Sequence, residues 1–117
     1  MGQLRHLICL CLTLASGPSL GDELRTFATC TGRLSALMEH QWLMQDPAAD
    51  LTKRQRDAFA DLVQAVALDP ARAMSMRIEA KAATAAALQA ADFGGHPAAR
   101  TRVMAQVRSC LRLLPQA

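Results

Sequence analysis

Cys30 and Cys110 stand near opposite ends of the chain that follows a short apolar N-terminal stretch, and the only other cysteines, Cys9 and Cys11, lie within that stretch. A disulfide needs its two Cα atoms within about 7 Å. A bond between Cys30 and Cys110 therefore requires a fold that returns its last segment to its first. The N-terminal stretch has its own logic. Arg5 and His6 precede the run Leu7 to Ala15, LICLCLTLA, and Gly17 and Pro18 follow it. Charge, apolar core and turn in that order are the anatomy of an export signal. A bilayer-spanning helix needs roughly 20 apolar residues, so the run predicts cleavage and leaves no stable membrane anchor afterwards. An uncleaved signal anchor or a buried helix is the alternative. Small residues at Ser19 and Gly21 put the cut before Asp22, giving a signal peptide, 1–21, and a single domain, 22–117. Leu10 before Cys11 speaks against a lipid-anchored cysteine. The expected location is periplasmic or secreted, where a lone pair of thiols oxidises. Two buried, reduced cysteines are the alternative.

Helical periodicity fills the rest of the chain. Phe27, Cys30, Leu34, Leu37, Met38 and Gln41 recur at steps of three and four, predicting a first helix from Asp22 to Gln45 that Asp46 and Pro47 interrupt. Thr52 with Gln55 three residues later reads as a capping box opening a second helix, whose stripe is Phe59, Leu62, Val63 and Val66. Asp69 can cap and Pro70 can open a third helix running to about Asp92. Its stripe is read as Ala71, Met74, Ile78, Ala82, Ala85 and Leu88 or Gln89, and Phe93, Gly94 and Gly95 end it. From Pro97 a fourth helix carries Val103, Val107, Cys110, Leu111 and Leu114 inward, with Arg102, Arg108 and Arg112 facing away.

No segment alternates as a half-buried strand would. The fold class expected is all-α, a small up-down-up-down four-helix bundle after a cleaved signal peptide, with one disulfide between the first and last helices. Short connections reverse each helix relative to the one before. The start of the first helix and the end of the fourth then share one end of the bundle, with Cys30 and Cys110 on inward stripes. In the chain-entropy view such a bridge stabilises by about 4 to 5 kcal/mol.

The stretch Cys30 to Trp42, CTGRLSALMEHQW, and the later Arg77 to Ala82, RIEAKA, resemble a group of small, uncharacterised exported bacterial proteins. The resemblance covers the region from about Glu23 to the fourth helix. It implies a periplasmic helical protein and carries no reaction and no residue roles.

Charge and motifs bound the function. The net charge of +3 becomes about +2 once Arg5 is removed, and the chain has no Tyr, one Trp and three Phe. That is too weak a bias, with too few stacking platforms, for a nucleic-acid partner. There is no Ser-centred elbow, no Gly-rich phosphate loop, no His-Glu-x-x-His and no Cys-x-x-Cys. An enzyme of unknown reaction stays a secondary reading. Gln41 and Lys81 intrude on otherwise apolar stripes, and with His40 and Arg77 nearby they define a candidate polar groove. The bland alternative lets Lys81 snorkel to solvent and Gln41 bond a neighbour. No cofactor is assigned. A copper or haem-binding bundle is the alternative, resting on His40, His96 and the methionines, Met74 and Met76 among them. The leading expectation is a noncatalytic, partner-binding or structural module with a periplasmic protein as its candidate partner; Arg102, Arg108 and Arg112 form the candidate face for an acidic partner or the membrane surface, and an ordinary solvated face is the alternative.

Overall fold

The computed structural model describes residues 19–115, so the predicted signal up to Pro18, with Cys9 and Cys11, lies outside the described residues. Four helices follow in order: α1, Leu20–Leu43; α2, Ala49–Val66; α3, Pro70–Phe93; and α4, Ala98–Leu111. Ser19 caps α1 by accepting from the Asp22 N–H, so the bond between Gly21 and Asp22 falls inside the first helical turn. Asp69 caps α3 with Pro70 at its first position, as the sequence predicts. At the other end of α3 the chain turns through Gly95, whose φ of 73° is the left-handed region that glycine enters without steric cost, and the His96 N–H returns to the Ala90 carbonyl.

The helices form the expected four-helix bundle. Gly32 of α1 meets Ala80 of α3, and eight residues further along α1 His40 reaches Asp92 of α3, so these two helices run parallel. Cys30 lies beside Cys110 while His40, ten residues on, lies near the beginning of α4, so α1 and α4 run antiparallel. The first and last helices are joined at Cys30 and Cys110, with Cα atoms 5.6 Å apart. Around that joint Leu34, Leu37, Phe59, Leu88, Val103 and Val107 make one core drawn from all four helices. The Phe27 and Phe59 rings pack 6.3 Å apart at its margin.

Helix α1 is the centre of the bundle rather than one side of it. Thr31, Gly32, Ser35 and Ala36 are buried as well as the predicted stripe of Cys30, Leu34, Leu37 and Met38. All four added residues are small, which lets neighbouring backbones come close. The two hydroxyls among them are satisfied within the helix, Thr31 donating to the Phe27 carbonyl at 2.8 Å and Ser35 to the Thr31 carbonyl at 2.7 Å. Their burial therefore leaves no orphaned donor.

Two local expectations are corrected. The capping box at Thr52 does not open α2, because the helix has already begun at Ala49. Asp46 starts the turn by accepting the Ala48 N–H at 2.9 Å, and Thr52 lies inside the helix with its backbone N–H and its Oγ1 both on the Ala48 carbonyl. The buried face of α3 is also rotated from the expected one. Ala73, Met76, Thr84 and Leu88 face inward, whereas Met74 and Ile78 are 50 % and 58 % exposed. Alanines surround α3, so its own periodicity chooses no face. The close approach of Gly32 to Ala80 does.

Candidate functional site

Arg25, Thr29 and Arg33 recur every fourth residue of α1, which aligns them as one polar row along the helix. That row forms one wall of a groove of about 320 Å³. Helix α3 supplies Glu79 and Thr84, with Ala80, Ala83 and Ala87 between them, and α4 supplies Arg102, Val103 and Gln106. The alanines keep the floor low, so the longer polar side chains rise around open space. Among the described residues no carboxylate lies within 4.0 Å of the guanidinium of Arg25, Arg33 or Arg102, nor of Arg54, Arg72, Arg77, Arg108 or Arg112, whereas Lys53, Arg56, Lys81 and Arg100 each have an acidic partner; what sets the first three apart is that they line one cavity. Three arginines thus share a cavity in which Glu79 is the single carboxylate.

Of the face predicted on α4, only Arg102 belongs to this groove. Arg108 and Arg112 are exposed, and the Arg112 guanidinium donates to the Ser109 hydroxyl at 2.9 Å. The other two arginines of the groove come from α1. Their eight-residue spacing, with Thr29 midway, was the available signal, but it borders the apolar stripe and reads there as an ordinary solvated edge.

The residues of the predicted polar groove are dispersed. Gly32 sets Lys81 at the level of Arg33, so Gln41 lies eight residues, or about 12 Å, further along. Lys81 instead pairs with Glu39 at 2.6 Å on the surface. Arg77 lines a separate, mostly apolar hollow with Ala28, Val63, Ala73 and Met74. His40 and Gln41 do share a hollow of about 400 Å³, with Asp92 from α3 and Arg100 from α4. There His40 Nε2 lies 2.5 Å from Asp92 Oδ2, and Arg100 donates to the same oxygen. The Arg100 hydrogen bond, and after it the one from His40, holds the Asp92 carboxyl below its ordinary value of 3.8. Gln41 Oε1 is buried in this region without a hydrogen-bond partner. Since its charged groups already satisfy one another, the cluster is a clasp joining the end of α1, the end of α3 and the start of α4. Sequence reasoning missed Asp92 and Arg100 because they lie 52 and 60 positions from His40 and have no local pattern.

Met74 and Met76 point to different surroundings, one exposed and the other buried, and His96 is exposed between α3 and α4. Among the described residues no three His, Cys, Asp or Glu side chains gather as a metal-ligand group, and no helix is long and apolar enough to cross a membrane. Compared with protein-family models, curated proteins and solved structures, the chain matches none. What the groove does is therefore read from its own residues.

Proposed function

We propose that this chain is an exported, noncatalytic binding module that receives an anionic ligand or partner in the groove between α1, α3 and α4. The observation that carries this reading is that Arg25, Arg33 and Arg102 line one groove and none has a carboxylate within 4.0 Å among the described residues. Guanidinium groups present fixed forks of donors that match carboxylate and phosphate oxygens, and a cleft bounded by low-dielectric walls concentrates their field. Export agrees with the signal anatomy of residues 1–21 and with the Cys30–Cys110 pair, which suits an oxidising compartment. The disulfide-tied core serves as scaffold: it fixes α1 against α4 and so holds Arg33 and Arg102 on facing walls.

Fluorescence anisotropy with a labelled hexaglutamate peptide tests the reading with a defined anion. The unmodified protein should bind saturably, and affinity should fall as salt shortens the Debye length from about 10 Å at 0.1 M to about 3 Å at 1 M. The double variant Arg33→Gln, Arg102→Gln should weaken binding by about tenfold or more. Arg108→Gln with Arg112→Gln, outside the groove, should leave it nearly unchanged. Equal losses in the two double variants, or no saturable binding at all, would overturn the proposal.

A further inference from the structure

The arginines of the groove are strung along it rather than gathered at one point. Arg25 and Arg33 are eight residues apart on α1, or about 12 Å along its axis. Two contacts place Arg102 on the same scale. Cys30 lies beside Cys110, and His40 and Arg100 meet on the Asp92 carboxylate, so the numbering of α4 falls as that of α1 rises. Arg102 then stands level with Met38, about 7.5 Å beyond Arg33 along α1. The groove thus presents its cations in steps of about 12 Å and 7.5 Å, over about 20 Å in all. Stations so far apart suit a linear ligand better than a compact one.

An extended polypeptide matches these steps. It advances about 3.3 Å per residue and turns every second side chain to the same side, so four residues cover about 13 Å and two cover about 6.6 Å. Both counts are even. Acidic side chains at the first, fifth and seventh positions of such a segment therefore all face the arginines. Nucleic acid fits less well. Three arginines against Glu79 leave a net of two positive charges over this length, whereas one strand of a duplex carries a phosphate about every 3.4 Å. No aromatic side chain lines the groove for a base to stack on. We infer that the groove takes an extended acidic peptide segment laid along α1, whose carboxylates meet Arg25, Arg33 and Arg102 in turn. This assignment rests on the reading of the groove as an anion-binding site and gives its ligand a class and a spacing.

Fluorescence anisotropy with labelled, end-capped seven-residue peptides of serine and glutamate tests the spacing. One peptide carries glutamate at its first, fifth and seventh positions, and a second, for the opposite chain direction, at its first, third and seventh. A third, with glutamate at the third, fourth and fifth positions, has the same composition and charge. One of the spaced peptides should bind at least about threefold tighter than the clustered isomer, whose carboxylates cannot reach Arg25 while holding the other two arginines. Arg25 is exposed, so its replacement leaves the core untouched. Arg25→Gln should remove the preference by weakening the spaced peptide alone, and Arg108→Gln should preserve it. Equal binding of spaced and clustered isomers, or a preference that survives Arg25→Gln, overturns the assignment, while groove-dependent binding of hexaglutamate keeps the broader proposal. If neither hexaglutamate nor any of the three peptides binds saturably, both fall. Tighter binding of a thymidine heptanucleotide, weakened by Arg25→Gln, would give the groove to nucleic acid and likewise contradict the assignment.

Discussion

A methyl group added at Gly32 would stand 2.3 Å from the Arg77 carbonyl oxygen and 2.9 Å from the Lys81 amide nitrogen. Neither atom can move without shifting the backbone of α3. Gly32→Ala should therefore destabilise despite the higher helix propensity of alanine, by about 1 to 3 kcal/mol or more as overpacking; a urea titration that found the variant as stable as the parent would contradict the close approach. Gln45 poses the opposite case. It occupies the position after the α1 cap with φ 55°, while its own N–H and that of Asp46 turn back to the Trp42 and Gln41 carbonyls. A side chain at that conformation costs about 1 kcal/mol relative to glycine. Gln45→Gly should thus raise stability by about that much, less the added freedom of the unfolded chain, and a fall in the denaturation midpoint would show that the turn is not left-handed.

Among the elements, α1, α2 and α4 were legible in the sequence because large apolar residues recur on one side of each, and α3 was not. Its Met74 and Ile78 draw the eye to a face that is exposed, while the face that packs is made of Ala73, Ala80 and Thr84 and is selected by Gly32 on another helix. A partner 48 positions away leaves no trace in local periodicity. The clasp at the end of α3 was hidden for the same reason. Its energetics are readable from pH. Asp92 titrates below its ordinary value of 3.8 in the folded protein, so the stability it contributes is present above that value and is lost as pH falls through the lowered one. Asp92→Asn should lower the melting midpoint at pH 7, and the gap between variant and parent should close as pH falls below 3.8 and through the lowered value. A gap that stays constant with pH would mean the carboxylate charge plays no part.

At the scale of the whole molecule, the Cys30–Cys110 joint was the most legible feature, since an up-down-up-down order brings the start of α1 to the end of α4 whatever the details of packing. Replacing both cysteines by serine should reduce the free energy of unfolding by about 4 to 5 kcal/mol, less any strain in the folded bond. Equal stability of the parent with and without reductant would contradict that expectation. The groove was only partly legible. Arg102 stood out on a polar face of α4, but Arg25 and Arg33 lie on the helix whose apolar side dominated the reading, and only the assembled bundle brings the three walls together. The account predicts that the bundle places its binding chemistry there, and neither in the clasp around His40 nor on the tail arginines. Amide and arginine side-chain shift mapping during a titration with the hexaglutamate peptide distinguishes these places in one measurement. Shifts centred on Arg33, Thr84, Arg102 and Gln106 are the predicted result; shifts centred on His40 and Arg100, or spread evenly to Arg108 and Arg112, would contradict it.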